Sequence, residues 1–287
     1  MSTLYSRVVN TKRKKNFKVN IERYESPMEV VKHCQERQIT DPRFKDERQR
    51  ERRLDWDGVN SYDEALDYMK NGYQPTVDKL KDAIKASKTG DGKRISFKND
   101  ISGFMPIVPL ALMGVPNSMI NVTMKPIKCK VIDVYYDMAC NCGTSPETIL
   151  KRGQQLLGII MELERQGYKF NLYAVQTYNE YQDADVLIVK IKSSNTPIDL
   201  KKMSFSLTHP AFFRVIGFDW YTKTPHGTWR SGYGHDLKME FSRDDLKLFA
   251  KQVFGDNAVF LRGTNMDSDK EHVKEVLMSN EKIDKDR

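Results

Sequence analysis

The stretch that decides the fold is CKVIDVYYDMACNCGTSPETILKRGQQLLGIIMELERQGYKFNLYAVQTY, residues 129–178. An apolar, β-rich run ends on Asp137. A short loop with two cysteines follows, and Ser145 and Pro146 then supply the start signals of a helix. Ile149, Leu150, Gly153, Leu156, Leu157, Ile160 and Leu163 fall on one helical stripe, and Gly167 is placed to end it. Gly153 within that stripe would let the helix approach a sheet closely. YKFNLYAVQTY (168–178) and ADVLIVKIKS (184–193) read as a second and a third strand. Strands separated by helices of this length indicate an α/β layered sheet, doubly wound, with helices on both faces. Ligand sites in such sheets lie at the carboxyl ends of the strands. The loop after Asp137 is therefore the first place to look for chemistry.

Downstream, LKKMSFSLTHPAFFRVIGF (200–218) reads as helical with a break at Pro210, and GFDWYTK (217–223) as a further strand. TPHGTWRSGYGHD (224–236) is a Gly-rich loop. LKMEF, SRDDLKLFAKQVFG and NAVFLRG then read as strand, helix and strand, with Ser242 capping the helix and Gly255 ending it. Upstream, SPMEVVKHCQERQI (26–39) reads as a helix capped by Ser26. DPRFKDERQRERRLD is a charged connector. WDGVNSYDEALDYMKNGY holds a helix with a Ser61/Glu64 capping box, and a short helix follows over about 75–87. The run FMPIVPLALMGVPNSMI is apolar but interrupted by Pro106, Pro109 and Pro116, which forbid a regular helix. A buried, irregular segment wrapping the core is expected there. Residues 1–20 show no clear period, and TKRKK (11–15) reads as a flexible basic tail. The expected divisions are a basic, partly helical N-terminal arm (1–55), a small helical module (56–94), the α/β core (95–264) and a polar C-terminal tail (265–287).

The chain has 287 residues, of which 39% are hydrophobic and 30% charged, as expected of a globular chain. No apolar run approaches the ~18 residues needed to cross a bilayer. MSTLYSRVVNTKRKK lacks the apolar segment of a secretory signal. Cys34, Cys129, Cys140 and Cys142 are too few for a disulfide framework, so a reduced, cytoplasmic setting without membrane contact is expected. The net charge of +8 is uneven: residues 1–55 hold 15 Lys and Arg against 9 Asp and Glu, the rest 32 against 30. Lys12, Arg13, Lys14 and Lys15 are the candidates to neutralise nucleic acid phosphates. Trp229 and Arg230 in the Gly-rich loop are the candidates to stack on single-stranded bases.

Around Asp137 the chemistry is constrained. The C-x-C spacing of Cys140 and Cys142 does not match paired zinc ligands, and Cys129 lies a strand length away, more than ~20 Å. A zinc site would require His209, His226 or His235 to arrive from other loops. A cysteine nucleophile would require His209 or His235 as its base. The bland alternatives are turn cysteines and a His209–Pro210 helix break packed between phenylalanines.

The strand ending in Asp137, with its short loop, long helix and following strand, resembles the start of a von Willebrand factor A domain. That resemblance covers about 129–262 and implies a doubly wound sheet whose first loop, D-x-S-x-S, holds Mg²⁺ through hard oxygen ligands. Here the corresponding residues are Asp137, Ala139 and Asn141. The alanine offers no side-chain oxygen, so no metal or other cofactor is expected. A second resemblance covers about 56–222. WDGVNSYDEALDYMKNGY, VPNSMI, SPETILKRGQQLLGIIMELERQGY and FSLTHPAFFRVIGF are similar to an uncharacterised family encoded by bacteriophages and mobile elements. Together these imply a non-enzymatic binding or assembly protein of a phage or mobile element, in the bacterial host cytoplasm or with the virion. It would recognise a protein partner, with nucleic acid at the basic arm. One alternative is a metal-dependent hydrolase or nuclease built on Asp137, Cys142, His209 and His235, with Asn141 beside them. Another is a structural virion component.

Overall fold

The computed structural model describes residues 3–40, 44–85, 93–126, 131–140, 142–165, 168–180, 183–224, 241–255 and 258–261. The residues on either side of TKRKK are strands, and TKRKK is the turn between them rather than a tail. β1 (Thr3–Val9) pairs antiparallel with β2 (Phe17–Tyr24), and Phe17, Val19 and Ile21 alternate with polar neighbours to bury one face. β1 is an edge strand and mostly exposed, which is why its sequence shows no apolar period. α1 (Pro27–Glu36) follows, its first turn closed by Ser26 Oγ accepting the Glu29 N–H at 3.3 Å.

The charged connector folds into turns around buried ions. Glu47 and Asp57 are buried, and so is the side chain of Arg52. Arg52 lies 2.9 Å from Glu47, and Arg50 bridges Glu47 at 3.0 Å and Asp57 at 2.9 Å. Buried charges persist only when paired in this way. α2 (Leu54–Asp57), α3 (Tyr62–Asn71) and α4 (Gln74–Lys85) come next. Ser61 accepts the Glu64 N–H at 3.0 Å, while Glu64 returns to the Asn60 N–H at 2.7 Å, one residue short of a reciprocal capping box.

Residues 93–126 depart from the buried wrap expected of them. β3 (Lys93–Asp100), β4 (Met105–Pro106) and β5 (Met119–Pro126) form a separate antiparallel sheet in the order β3-β5-β4, with α5 (Val108–Leu112) in the β4–β5 connection. Its large apolar residues face outward: Phe97, Ile101, Phe104, Leu112 and Met113 are between 65% and 84% exposed.

The remaining elements are β6 (Val131–Asp137), α6 (Pro146–Arg165), β7 (Lys169–Glu180), β8 (Asp183–Lys192), α7 (Leu200–Thr208), a π-helical segment Phe212–Gly217 running into α8 (Phe218–Thr222), α9 (Arg243–Phe254) and β9 (Ala258–Leu261). Residues 217–223 are thus helical rather than a strand. Their aromatics are buried on every side, which removes the polar face that would betray a helix. Among the described residues the main sheet has the order β1-β2-β8-β7-β6-β9. β9, β6 and β7 run parallel, β8 runs antiparallel to β7, and β2 runs parallel to β8. This mixed sheet carries helices on both faces. Leu156, Leu157 and Ile160 of α6 and Phe205 of α7 pack with Ile132 and Val134 on one face, and Leu246, Phe249 and Val253 of α9 pack with Phe17, Tyr135 and Phe260 on the other. The sheet therefore runs across the boundaries read from composition at residues 55 and 94.

Gly153 does permit a close approach, but to α7 instead of the sheet. A Cβ there would overlap the Leu207 carbonyl oxygen and Thr208 Cα, whereas Gly158 on the same helix faces open space. Gly153→Ala is expected to lower stability by about 1–3 kcal/mol through overpacking. Gly158→Ala should raise it by up to about 1 kcal/mol through helix propensity. Urea denaturation midpoints of the two variants check both directions.

Candidate functional site

The antiparallel β7–β8 pair gives the sheet two sets of carboxyl strand ends, at opposite edges. The first set, from β6, β7 and β9, carries the Asp137 loop. Asp137 is buried, and its Oδ1 accepts the Ala139 N–H at 3.0 Å, the bond that tightens an Asx-type turn. Met138 and Ala139 point into the core, Cys140 packs against it, and the Cys142 side of the loop is exposed. Trp56 Nε1 donates to the Cys142 carbonyl at 3.0 Å, and Arg214 Nη2 to the Thr144 carbonyl at 2.6 Å. Arg214 also donates to the Trp56 carbonyl, and its guanidinium lies 4.5 Å from the Trp56 ring centre, with Arg50 at 5.5 Å. Burial pulls the pKa of Arg214 down. Ser145 accepts the Thr148 N–H at 3.3 Å and is a helix cap. These contacts fix the loop's backbone and bring the Arg214 guanidinium beside Cys140 and Cys142.

His209 sits elsewhere in this logic. It is buried in an aromatic box of Tyr73, Tyr68 and Phe205, with ring centroids 4.5, 5.4 and 5.4 Å away, and its Nδ1 accepts the Ala211 N–H at 3.2 Å. Burial pushes its pKa down to about 4, against a smaller upward pull from Glu64. It is a neutral, packed helix break. Asn141, Trp229, Arg230 and His235 lie outside the described residues. Among the described residues no group of three or more His, Cys, Asp or Glu is placed to hold a metal ion. No described helix is long and apolar enough to cross a membrane.

Lys12, Arg13, Lys14 and Lys15 form the turn between β1 and β2, and the start of α9 receives them. The Lys12 N–H donates to Asp245 Oδ1 at 2.7 Å, Lys12 Nζ lies 3.3 Å from Asp244, and Arg13 lies 3.9 Å from Asp245. Against the upward push of burial, hydrogen bonds from Ser242 and Lys12 hold the Asp245 carboxyl below its usual range. Lys12 and Arg13 of the basic quartet thus face the protein's own carboxylates.

The second set of carboxyl ends, from β2 and β8, opens on a cavity of about 830 Å³. Lys190 and Lys192 come from the end of β8, Lys70 from α3, and Lys202 from α7. Met28, Met69 and Met203 supply apolar wall from three different helices. Lys192 is buried, 2.6 Å from Glu164, and donates to the Ser193 carbonyl at 3.1 Å. Lys190 lies 2.9 Å from Glu25, and Lys202 lies 3.9 Å from Asp199 on an exposed rim. The sequence carried one signal for this site, the K-x-K at the end of an apolar strand. Its meaning depended on β8 running opposite to β6.

A protein-family model described as a domain of unknown function (DUF7192) matches residues 7–286, and the chain belongs to that family. No curated protein and no solved structure matches it.

His209 makes stability depend on pH. Its pKa is near 6.5 in the unfolded chain and about 4 in the folded one. Its contribution is complete above about pH 6.5 and is lost as the pH falls toward about 4, because only the unfolded chain takes up the proton. The full effect is about 3 kcal/mol. The drop in urea midpoint from pH 7 to pH 4.5 should be smaller in His209→Gln than in the wild type.

Proposed function

We propose that this DUF7192 member is a binding and assembly protein, and that the antiparallel module of residues 93–126 joins it to a second copy of itself. The carrying observation is the exposed apolar set on that module, which Val108, Met105 and Val122 extend. Monomeric proteins seldom leave apolar patches beyond several hundred Å² in water. Eight exposed large apolar residues on one small module are more than the scattered single residues of an ordinary surface. Two features favour a second copy. β3 is an edge strand, open to pairing among the described residues. Laid antiparallel on itself about Phe97, its sequence sets Phe97 against Phe97 and Arg94 against Asp100 of the other copy, a self-complementary register suited to a two-fold axis.

Within this reading the core is a divergent von Willebrand factor A-like sheet. The succession β6–α6–β7 and the return of the chain to β9 on the other side of β6 support that assignment. No Mg²⁺ is assigned to Asp137, because Ala139 offers no side-chain oxygen. A phage or mobile-element source, a host-cytoplasm or virion location, and nucleic acid contact at the turn of Lys12, Arg13, Lys14 and Lys15 belong to the same proposal. The hydrolase alternative loses support, since His209 is enclosed by aromatics.

Sedimentation velocity of the full chain over a concentration series tests the reading. The wild type should form dimers, and Phe97→Ser combined with Leu112→Ser should weaken association at least tenfold with the thermal midpoint unchanged. A wild type that stays monomeric throughout, or a double variant that associates equally well, overturns it.

A further inference from the structure

We infer that the cavity at the carboxyl ends of β2 and β8 binds a nucleoside monophosphate. This inference is independent of the assembly reading, since it involves no residue of the 93–126 module. The first argument is size. About 830 Å³ lies within the range of sites for small organic ligands. The second is charge. Four lysines and two carboxylates, Glu25 and Asp199, line the cavity. Counting Glu164, which holds Lys192 at 2.6 Å, the lysines exceed the carboxylates by one, and that surplus favours an anionic end such as a phosphate monoester.

The lysines divide the work. Lys192 is buried against Glu164 and Lys190 is held by Glu25, so these two set the field of the inner wall. Lys202 is 78% exposed and only loosely held by Asp199, and Lys70 is exposed on α3. Both have the reach to close over a phosphate from the rim.

The third argument is the apolar wall. Met28, Met69 and Met203, with Ile191 and the rings of Pro27 and Pro197, face the same space. Thioethers are polarisable, adapt to flat rings and make favourable sulfur–aromatic contacts. A ligand that uses both halves carries a dianion at one end and a flat aromatic body at the other. The place in the fold agrees, because sheets of this kind bind ligands outside the carboxyl ends of neighbouring parallel strands, and β2 and β8 are such a pair.

Isothermal titration of the full chain with AMP, UMP, adenosine, inorganic phosphate and octanoate tests the inference. At least one monophosphate should bind saturably, and at least tenfold tighter than adenosine or phosphate. Lys70→Glu with Lys202→Glu should weaken that binding at least tenfold, and Met28→Trp should block it, both with unchanged thermal midpoints. Three results each overturn the inference: no saturable binding of either monophosphate, phosphate or octanoate binding as tightly as the monophosphates, or nucleotide affinity untouched by the lysine substitutions.

Discussion

The antiparallel pairing of β7 with β8 is the constraint on which the rest of the structure depends. The ladder runs from Leu172–Lys192 to Glu180–Asp183, with one register shift near Tyr173. Because β8 comes back along β7, any strand added parallel to β8 has its carboxyl end at the opposite edge from that of β6. β2 is that strand. The edge that holds Asp137 carries a turn braced by Trp56 and Arg214. The edge shared by β2 and β8 holds the cavity. Had the sheet been wholly parallel, the lysines of β8 and the Asp137 loop would have met at one rim.

Placing an N-terminal strand inside the fold required burying its polar groups with partners. Glu22 on β2 is buried and receives Tyr24 Oη at 2.7 Å, Trp220 Nε1 at 2.6 Å and Arg37 at 2.9 Å. Burial drives its pKa up, but those three donors more than offset it and hold the carboxyl below its usual value. One carboxylate thus ties β2 to α1 and α8. A second buried carboxylate, Asp219, accepts from Tyr62 and Lys223 and links α3 to the same region. Removing one member of such a set leaves a buried charge without compensation, which costs more than the intact set contributes.

What the sequence disclosed follows from how local each signal is. α6 and α9 were legible because Ser145 and Ser242 cap them and their apolar stripes repeat at helical spacing. α1 was legible for the same reason at Ser26. The hairpin of β1 and β2 was not, because an edge strand has little to bury and its lysines dominate the composition. Phe218–Thr222 misled because full burial erases periodicity. The 93–126 module misled in the opposite sense: apolar residues suggest burial, but Phe97, Ile101 and Leu112 are left in water. The Asp137 loop lies at the strand ends, as its place after an apolar strand implied, and Ser145 caps the helix that follows it. The cavity was hidden because it needs three segments distant in sequence and the reversed direction of β8.

The seam between β2 and β8 also sets a timetable. Asn20 and Asp185 meet at 3.0 Å although 165 residues separate them. At synthesis rates of roughly 5–20 residues per second, the N-terminal hairpin leaves the ribosome about 10–30 s before the strand it must pair with. During that interval Phe17, Val19 and Ile21 have no core to enter. The Lys12–Lys15 turn keeps four positive charges beside that waiting apolar strand until Asp245 emerges and takes up the Lys12 N–H.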